Sequence, residues 1–162
     1  MKKISFVLCI ICMLQLASCG KHYSYSEYGH YDNFSTVKSD FQSVCQLLSD
    51  EGNNTYYIKT VNQDTNDKKI SDSTKIELTN INKHETLNLI ATDQTHLRNI
   101  LENSDFCWIE VEDGAVSFEY DAIGCGVVAT SNIKKFISDL ENKADDYWEY
   151  EKLSDGWYTY YR

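Results

Sequence analysis

The fold is decided by Cys107-Trp108-Ile109-Glu110-Val111-Glu112-Asp113-Gly114-Ala115-Val116-Ser117-Phe118-Glu119-Tyr120. Asp113-Gly114 is the signature of a two-residue type I′ turn, because both central residues of that turn need positive φ and Asp and Gly tolerate it. The turn sets the register of the two strands. Val111 then faces Val116, Ile109 faces Phe118 and Cys107 faces Tyr120, and these six are expected to form a core face. Side chains alternate along a strand, so Trp108, Glu110, Glu112, Ser117 and Glu119 share the other face.

Helical periodicity flanks this hairpin on both sides. Before it, Leu97, Ile100 and Leu101 form the stripe of a helix starting near Asp93 and ending around Ser104. After it comes Ile123 to Ala129, a loop or short strand in which Gly124 and Gly126 bracket Cys125. Ser131 then caps a third helix with Ile133, Phe136, Ile137 and Leu140 at i, i+3, i+4 and i+7. The chain closes with a second hairpin, Tyr147 to Lys152 and Trp157 to Tyr161. One face of it must be core; the other exposes aromatic surface or lies under the third helix.

Further upstream, Val37, Phe41, Val44, Cys45 and Leu48 mark a helix from Thr36 that Gly52 stops. Tyr56 to Val61 reads as a strand and Asn62 to Ser73 as a polar loop. Residues 75–81 and 85–91 read as a hairpin around Asn82-Lys83. Helices separated by hairpins, rather than by single strands, argue for an α+β fold: antiparallel hairpins packed on about three helices. Glu102-Asn103, Trp108 and Asp113-Gly114 also align with Glu141-Asn142, Trp148 and Asp155-Gly156, which suggests a repeated helix–hairpin unit.

Met1-Lys2-Lys3, the apolar run Ile4 to Leu14 and Leu16-Ala17-Ser18-Cys19 have the form of a secretory signal. The run is shorter than the roughly 20 residues of a spanning helix. Leu16-Ala17-Ser18-Cys19 resembles the lipobox of bacterial lipoproteins. The resemblance implies a signal peptide over 1–18, Cys19 as the lipidated mature N-terminus, and membrane attachment by several acyl chains, since one chain anchors a protein only marginally. By the same resemblance, Gly20 rather than Asp after the cysteine implies sorting to the outer membrane in some bacteria. Residues 19–34 carry Tyr23, Tyr25, Tyr28 and Tyr31 among polar residues without periodicity and read as a tether spanning roughly 20 Å. Residues 35–162 are left as a single α+β domain.

The chain of 162 residues is 42% hydrophobic, enough for an ordinary core, and it contains no proline, which removes proline-rich linkers and recognition segments. Fifteen basic against 25 acidic residues give a charge of −10, and loss of Lys2 and Lys3 with the signal takes it to −12. Such a chain is repelled by phosphates, so nucleic acid is not the expected partner.

Cleavage leaves Cys19, Cys45, Cys107 and Cys125 in an oxidising compartment, with Cys19 committed to lipid. A Cys107–Cys125 disulfide is one expectation, because the glycines around Cys125 let the chain turn back towards the hairpin's open end; three reduced, packed thiols are the other.

No cofactor or metal is expected. Once Cys9 and Cys12 leave with the signal, no Cys-x-x-Cys or His-x3–5-His pair remains for zinc, and a calcium-loop pattern at Asp64 and Asn66 is spoiled by Lys68, Lys69 and Lys75. His84 and His96 show no spacing that would activate a cysteine. Glycine-rich phosphate loops and Gly-x-Ser-x-Gly are absent. The expected function is therefore a lipid-anchored envelope protein with a noncatalytic binding or adaptor domain, meeting a protein or peptide through Trp108, Glu110, Glu112 and Glu119. An acidic inhibitor or immunity protein against a basic enzyme or toxin is the alternative. A hydrolase using paired carboxylates ranks third.

Overall fold

The computed structural model describes residues 34–61, 70, 72–102, 104–120, 124–144 and 146–162. The signal, nearly all of the tether and most of the Asn62–Ser73 loop lie outside the described residues. The elements are α1 (Phe34–Leu48, followed by a 3-10 turn Ser49–Glu51), β1 (Asn54–Val61), β2 (Lys75–Asn80), β3 (Glu85–Thr86), α2 (Ala91–Leu101), β4 (Phe106–Glu112), β5 (Ala115–Tyr120), β6 (Cys125–Ala129), α3 (Ile133–Ala144), β7 (Glu149–Ser154) and β8 (Trp157–Tyr161). The strands form one sheet in the order β3-β2-β1-β4-β5-β6-β8-β7. Every neighbouring pair is antiparallel, so the α+β architecture is as read from the sequence.

The central hairpin turns at Asp113 (φ 50°) and Gly114 (φ 79°), with Val111 opposite Val116 and Ile109 opposite Phe118. Its open end differs from the expected register. A bulge falls between Phe106 and Trp108, so Phe106 and not Cys107 faces Tyr120. The extra residue lets the larger apolar side chain turn inward, where its ring lies 4.6 Å from Tyr120 and 6.0 Å from Phe41, while Cys107 is left half-buried.

Helix α1 covers this face of the sheet. Phe41 sits edge-on to Phe118 at 4.7 Å and 5.7 Å from Trp157, and Phe34 stacks on Trp157 at 5.5 Å. Phe41, Val44 and Leu48 are almost wholly removed from water. Burial of this kind contributes about 1.5–3 kcal/mol per large side chain. Helix α2 lies beside α1, joined to it through the buried Asp40, whose Oδ1 is 2.7 Å from His96 Nδ1 and accepts Asn99 Nδ2–H at 3.1 Å. It begins at Ala91, two residues before Asp93, because the Asp93 carboxylate accepts the Ile90 N–H and closes the first turn.

The strand expected over 85–91 contracts to Glu85–Thr86, with one further bond from the Leu87 N–H to the Leu78 carbonyl. Beyond it, Gln94 of α2 replaces a strand. Its amide donates to the Ile76 carbonyl and accepts the Ile76 N–H, both at 2.8 Å.

The other face of the sheet is only half open, which corrects the simple picture of a core face and a noncore face. Helix α3 packs there, and Ile133 and Ile137 join Ala115, Val128, Trp148 and Tyr160 in a second core, with Phe136, Leu140 and Tyr158 against it. An amphipathic helix must bury its stripe somewhere, and the small Ala115 and Ser117 leave room for it. The N-cap of α3 is Asn132, whose Oδ1 accepts the Lys135 N–H at 3.1 Å, rather than Ser131. Most aromatics of the last hairpin are accounted for in this way, Trp148, Tyr158 and Tyr160 under α3 and Trp157 under α1.

The two helix–hairpin units, α2-β4-β5 and α3-β7-β8, flank β6 on its two sides in the strand order. Their helices lie on opposite faces and their hairpins step in opposite directions across the sheet. The tryptophans differ between the units, since Trp108 points away from its unit's helix and Trp148 towards its own.

Candidate functional site

Residues of the open face line up across the strands. Thr86, Thr79, Tyr57, Trp108, Glu119, Gly126, Tyr160 and Tyr150 are successive cross-strand partners, one from each strand. On the β3-β2-β1-β4 half no described element covers this row. The Tyr57 and Trp108 rings meet there with centroids 4.9 Å apart and planes at 55°, and Tyr57 is 39% exposed. Tilted aromatic pairs at such distances attract by about 0.5–1.5 kcal/mol beyond burial, so the two rings form a fixed wall.

Glu119, opposite Trp108, is held from two sides. The Tyr160 hydroxyl, reaching over Gly126, and the Ser117 hydroxyl each donate to its Oε1 at 2.9 Å. Gly126 has to be glycine for this arrangement, because a Cβ there would lie 2.2 Å from the Phe118 carbonyl oxygen and 2.9 Å from the Tyr160 hydroxyl. Burial of Tyr160, reinforced by the Glu119 charge, pushes its phenol well above the ordinary range, so it stays a donor.

Glu110 follows Trp108 on the same face of β4, pairs across to Thr55 on one side and Ser117 on the other, and is half-buried. Burial, then the charges of Glu119 and Glu112, raise its carboxyl above the ordinary value, while Lys143 partly offsets them.

Of the four residues the sequence singled out, Trp108, Glu110 and Glu119 are thus gathered together. Glu112 is drawn away to an ion pair with Lys143 at the C-terminal end of α3. Lys135 of α3 likewise holds Asp113 at 2.7 Å and Asp139 at 3.5 Å. The cleft between this hairpin end and α3 has room for about 50 Å³ of water and is lined by both signs of charge. It closes the acidic patch on that side.

Cys45, Cys107 and Cys125 are not in disulfides, so of the two expectations the Cys107–Cys125 bridge is the one that does not form. Strand β5 runs between β4 and β6, so Cys107 and Cys125 are two strand spacings apart, about 10 Å, beyond the ~7 Å Cα limit for a disulfide. Burial pushes the Cys45 thiol up to about 12, and burial with the Glu119 charge pushes Cys125 up to about 11. Both are protonated and weakly nucleophilic at neutral pH. Among the described residues no group of three or more His, Cys, Asp or Glu is arranged to hold a metal.

Sequence reasoning missed Tyr57, Tyr160 and Gly126. Tyr57 had a signal, since it falls on the expected strand Tyr56–Val61, but nothing local told that this strand lies next to β4. No family model, curated protein or solved structure matches the chain.

Proposed function

We propose that the domain is a noncatalytic binding module that meets a protein or peptide on the open half of its sheet, and that Cys19 carries it, lipidated, on a bacterial envelope membrane, the outer one where there are two. The observation that carries the binding reading is the Tyr57–Trp108 ring pair on a sheet face that no described element covers. Aromatic side chains with few rotamers supply contact area at low entropic cost, which is why they dominate binding hot spots. The anchoring rests on Leu16-Ala17-Ser18-Cys19 and the short apolar run before it. No described helix is long and apolar enough to cross a membrane.

A second reading, an acidic inhibitor or immunity protein against a basic enzyme or toxin, is favoured by Glu110 and Glu119 beside Trp108. The same surface would serve it, with the net charge of the chain speeding encounter.

Capture from envelope extract tests the binding reading. The wild-type chain should retain a partner that Trp108→Ala loses, and retention should fall between 0.1 and 1 M salt as the Debye length drops from about 10 to about 3 Å. Equal retention by Trp108→Ala would remove the reading. Mass spectrometry of the mature N-terminus tests the anchor, and a Cys19→Ser chain still processed and membrane-bound would overturn it.

A further inference from the structure

We propose that Tyr57, Trp108, Glu110 and Glu119 form a seat for the guanidinium group of one arginine from a basic partner protein, an inference that rests on the binding reading above and names the chemistry that face recognises. The rings come first. A cation over an indole or phenol face is attracted by the ring quadrupole, and Trp108 with Tyr57 offers both ring types at 4.9 Å on an uncovered face.

The carboxylates flank the rings in fixed places. Glu119 lies directly across the strand pair from Trp108, and Glu110 lies two residues along β4 on the same face. Both hydroxyl bonds to Glu119 end on Oε1. They fix the carboxylate in one orientation and leave Oε2 for a further donor.

Glu110 has the opposite character. It is half-buried between two like charges, and the nearest offsetting cation, Lys143, is hydrogen-bonded to Glu112 instead. A cation seated between Glu110 and Glu119 would relieve that repulsion. A neutral sugar would stack on the indole but leave the repulsion in place.

The seat suits arginine rather than lysine, because a planar guanidinium can stack on a ring while its edge reaches a carboxylate, whereas an ammonium is a strongly hydrated point charge. In the neighbouring row Lys59 stands across from Glu77, whose carboxylate holds Lys75 at 3.0 Å.

The test uses the full chain in detergent micelles, with the Trp108 indole N–H resonance, assigned by its loss in Trp108→Phe, as the readout. Hexa-arginine, hexa-lysine and chitohexaose are the probes. Hexa-arginine should shift the Trp108 resonance and bind at least tenfold more tightly than hexa-lysine. Glu110→Gln/Glu119→Gln should weaken it more than tenfold, and Tyr57→Ala, at an exposed position, several-fold. Glu149→Gln/Glu151→Gln, which removes the same charge on β7, should change it less than twofold. Equal losses in the two double variants, or equal affinity for the two basic peptides, would overturn the proposal. A shift with chitohexaose and none with hexa-arginine would overturn the arginine seat while leaving the binding face standing. A Trp108 resonance unmoved by any probe would overturn the seat, with the binding reading decided separately by capture from extract.

Discussion

Gly126→Ala tests the arrangement that fixes Glu119. The new Cβ would stand 2.2 Å from the Phe118 carbonyl oxygen and 2.9 Å from the Tyr160 hydroxyl. The first of these is backbone in the β5–β6 ladder and cannot swing aside. Overpacking of this kind costs about 1–3 kcal/mol, and losing the Tyr160 hydrogen bond to a carboxylate costs about 1.5–3 kcal/mol. Replacing a strand glycine returns about 0.5–1 kcal/mol of backbone entropy. The net expectation is a loss of about 3 kcal/mol, which at a urea slope near 2 kcal/mol/M lowers the midpoint by about 1.5 M. Tyr160→Phe removes the hydroxyl without the clash and should cost about 2 kcal/mol. Because both variants lose the same hydrogen bond, the double variant should fall short of the sum by at least 1 kcal/mol. Urea unfolding followed by far-UV circular dichroism measures all three. A Gly126→Ala protein within about 0.5 kcal/mol of wild type, which is surface-substitution behaviour, or strict additivity in the cycle, would refute the reasoning.

Gln94→Leu strips the Ile76 N–H and carbonyl of their partners at a partly buried edge and should cost about 2 kcal/mol in the same assay; a neutral variant would show that water replaces the amide. Glu110→Gln should raise stability at pH 7. The folded-state carboxyl of Glu110 is raised above its ordinary 4.5, so the stability it contributes is present below that value and lost as pH rises through the raised one. Melting temperatures of variant and wild type should therefore converge on acidification, and a gap that widens towards acid would reverse the assignment. Residues 20–162 should titrate as three free thiols after denaturation. Native Cys45 and Cys125 should react slowly with a disulfide reagent, and reductant should leave the melting temperature unchanged; a drop on reduction would reinstate a bridge.

The parts of the fold legible in the sequence were those written in local periodicity. Asp113-Gly114 set the central hairpin, and Ile133, Phe136, Ile137 and Leu140 marked the existence and the start of α3. What period-two alternation could not carry was the bulge at Cys107, since one extra residue inverts the pattern, and burial of Phe106 decides where it falls. Nor did periodicity tell which side of the sheet α3 would choose. That depends on which surface offers small residues opposite its stripe, a property of strands distant in sequence. The candidate site was half legible for the same reason. Trp108, Glu110 and Glu119 share one hairpin and their common face followed from the turn. Tyr57 and Tyr160 arrive from strands 51 residues earlier and 41 later than Trp108 and Glu119 respectively, so only the sheet order brings them in.

The sheet's two margins are unlike each other, and this sets the stoichiometry of any growth by strand addition. At the β2–β3 margin Gln94 occupies the bonding positions of Ile76, and a two-residue strand occupies most of the rest. At the far margin β7 offers six residues and no described neighbour beyond them. A ribbon needs two receptive margins per molecule to propagate, and here one is stoppered. Copies crowded side by side on a surface could zip β7 to β7 and would then have nothing left to extend. Strand pairing through these two margins would stop at two molecules instead of running on into a fibre.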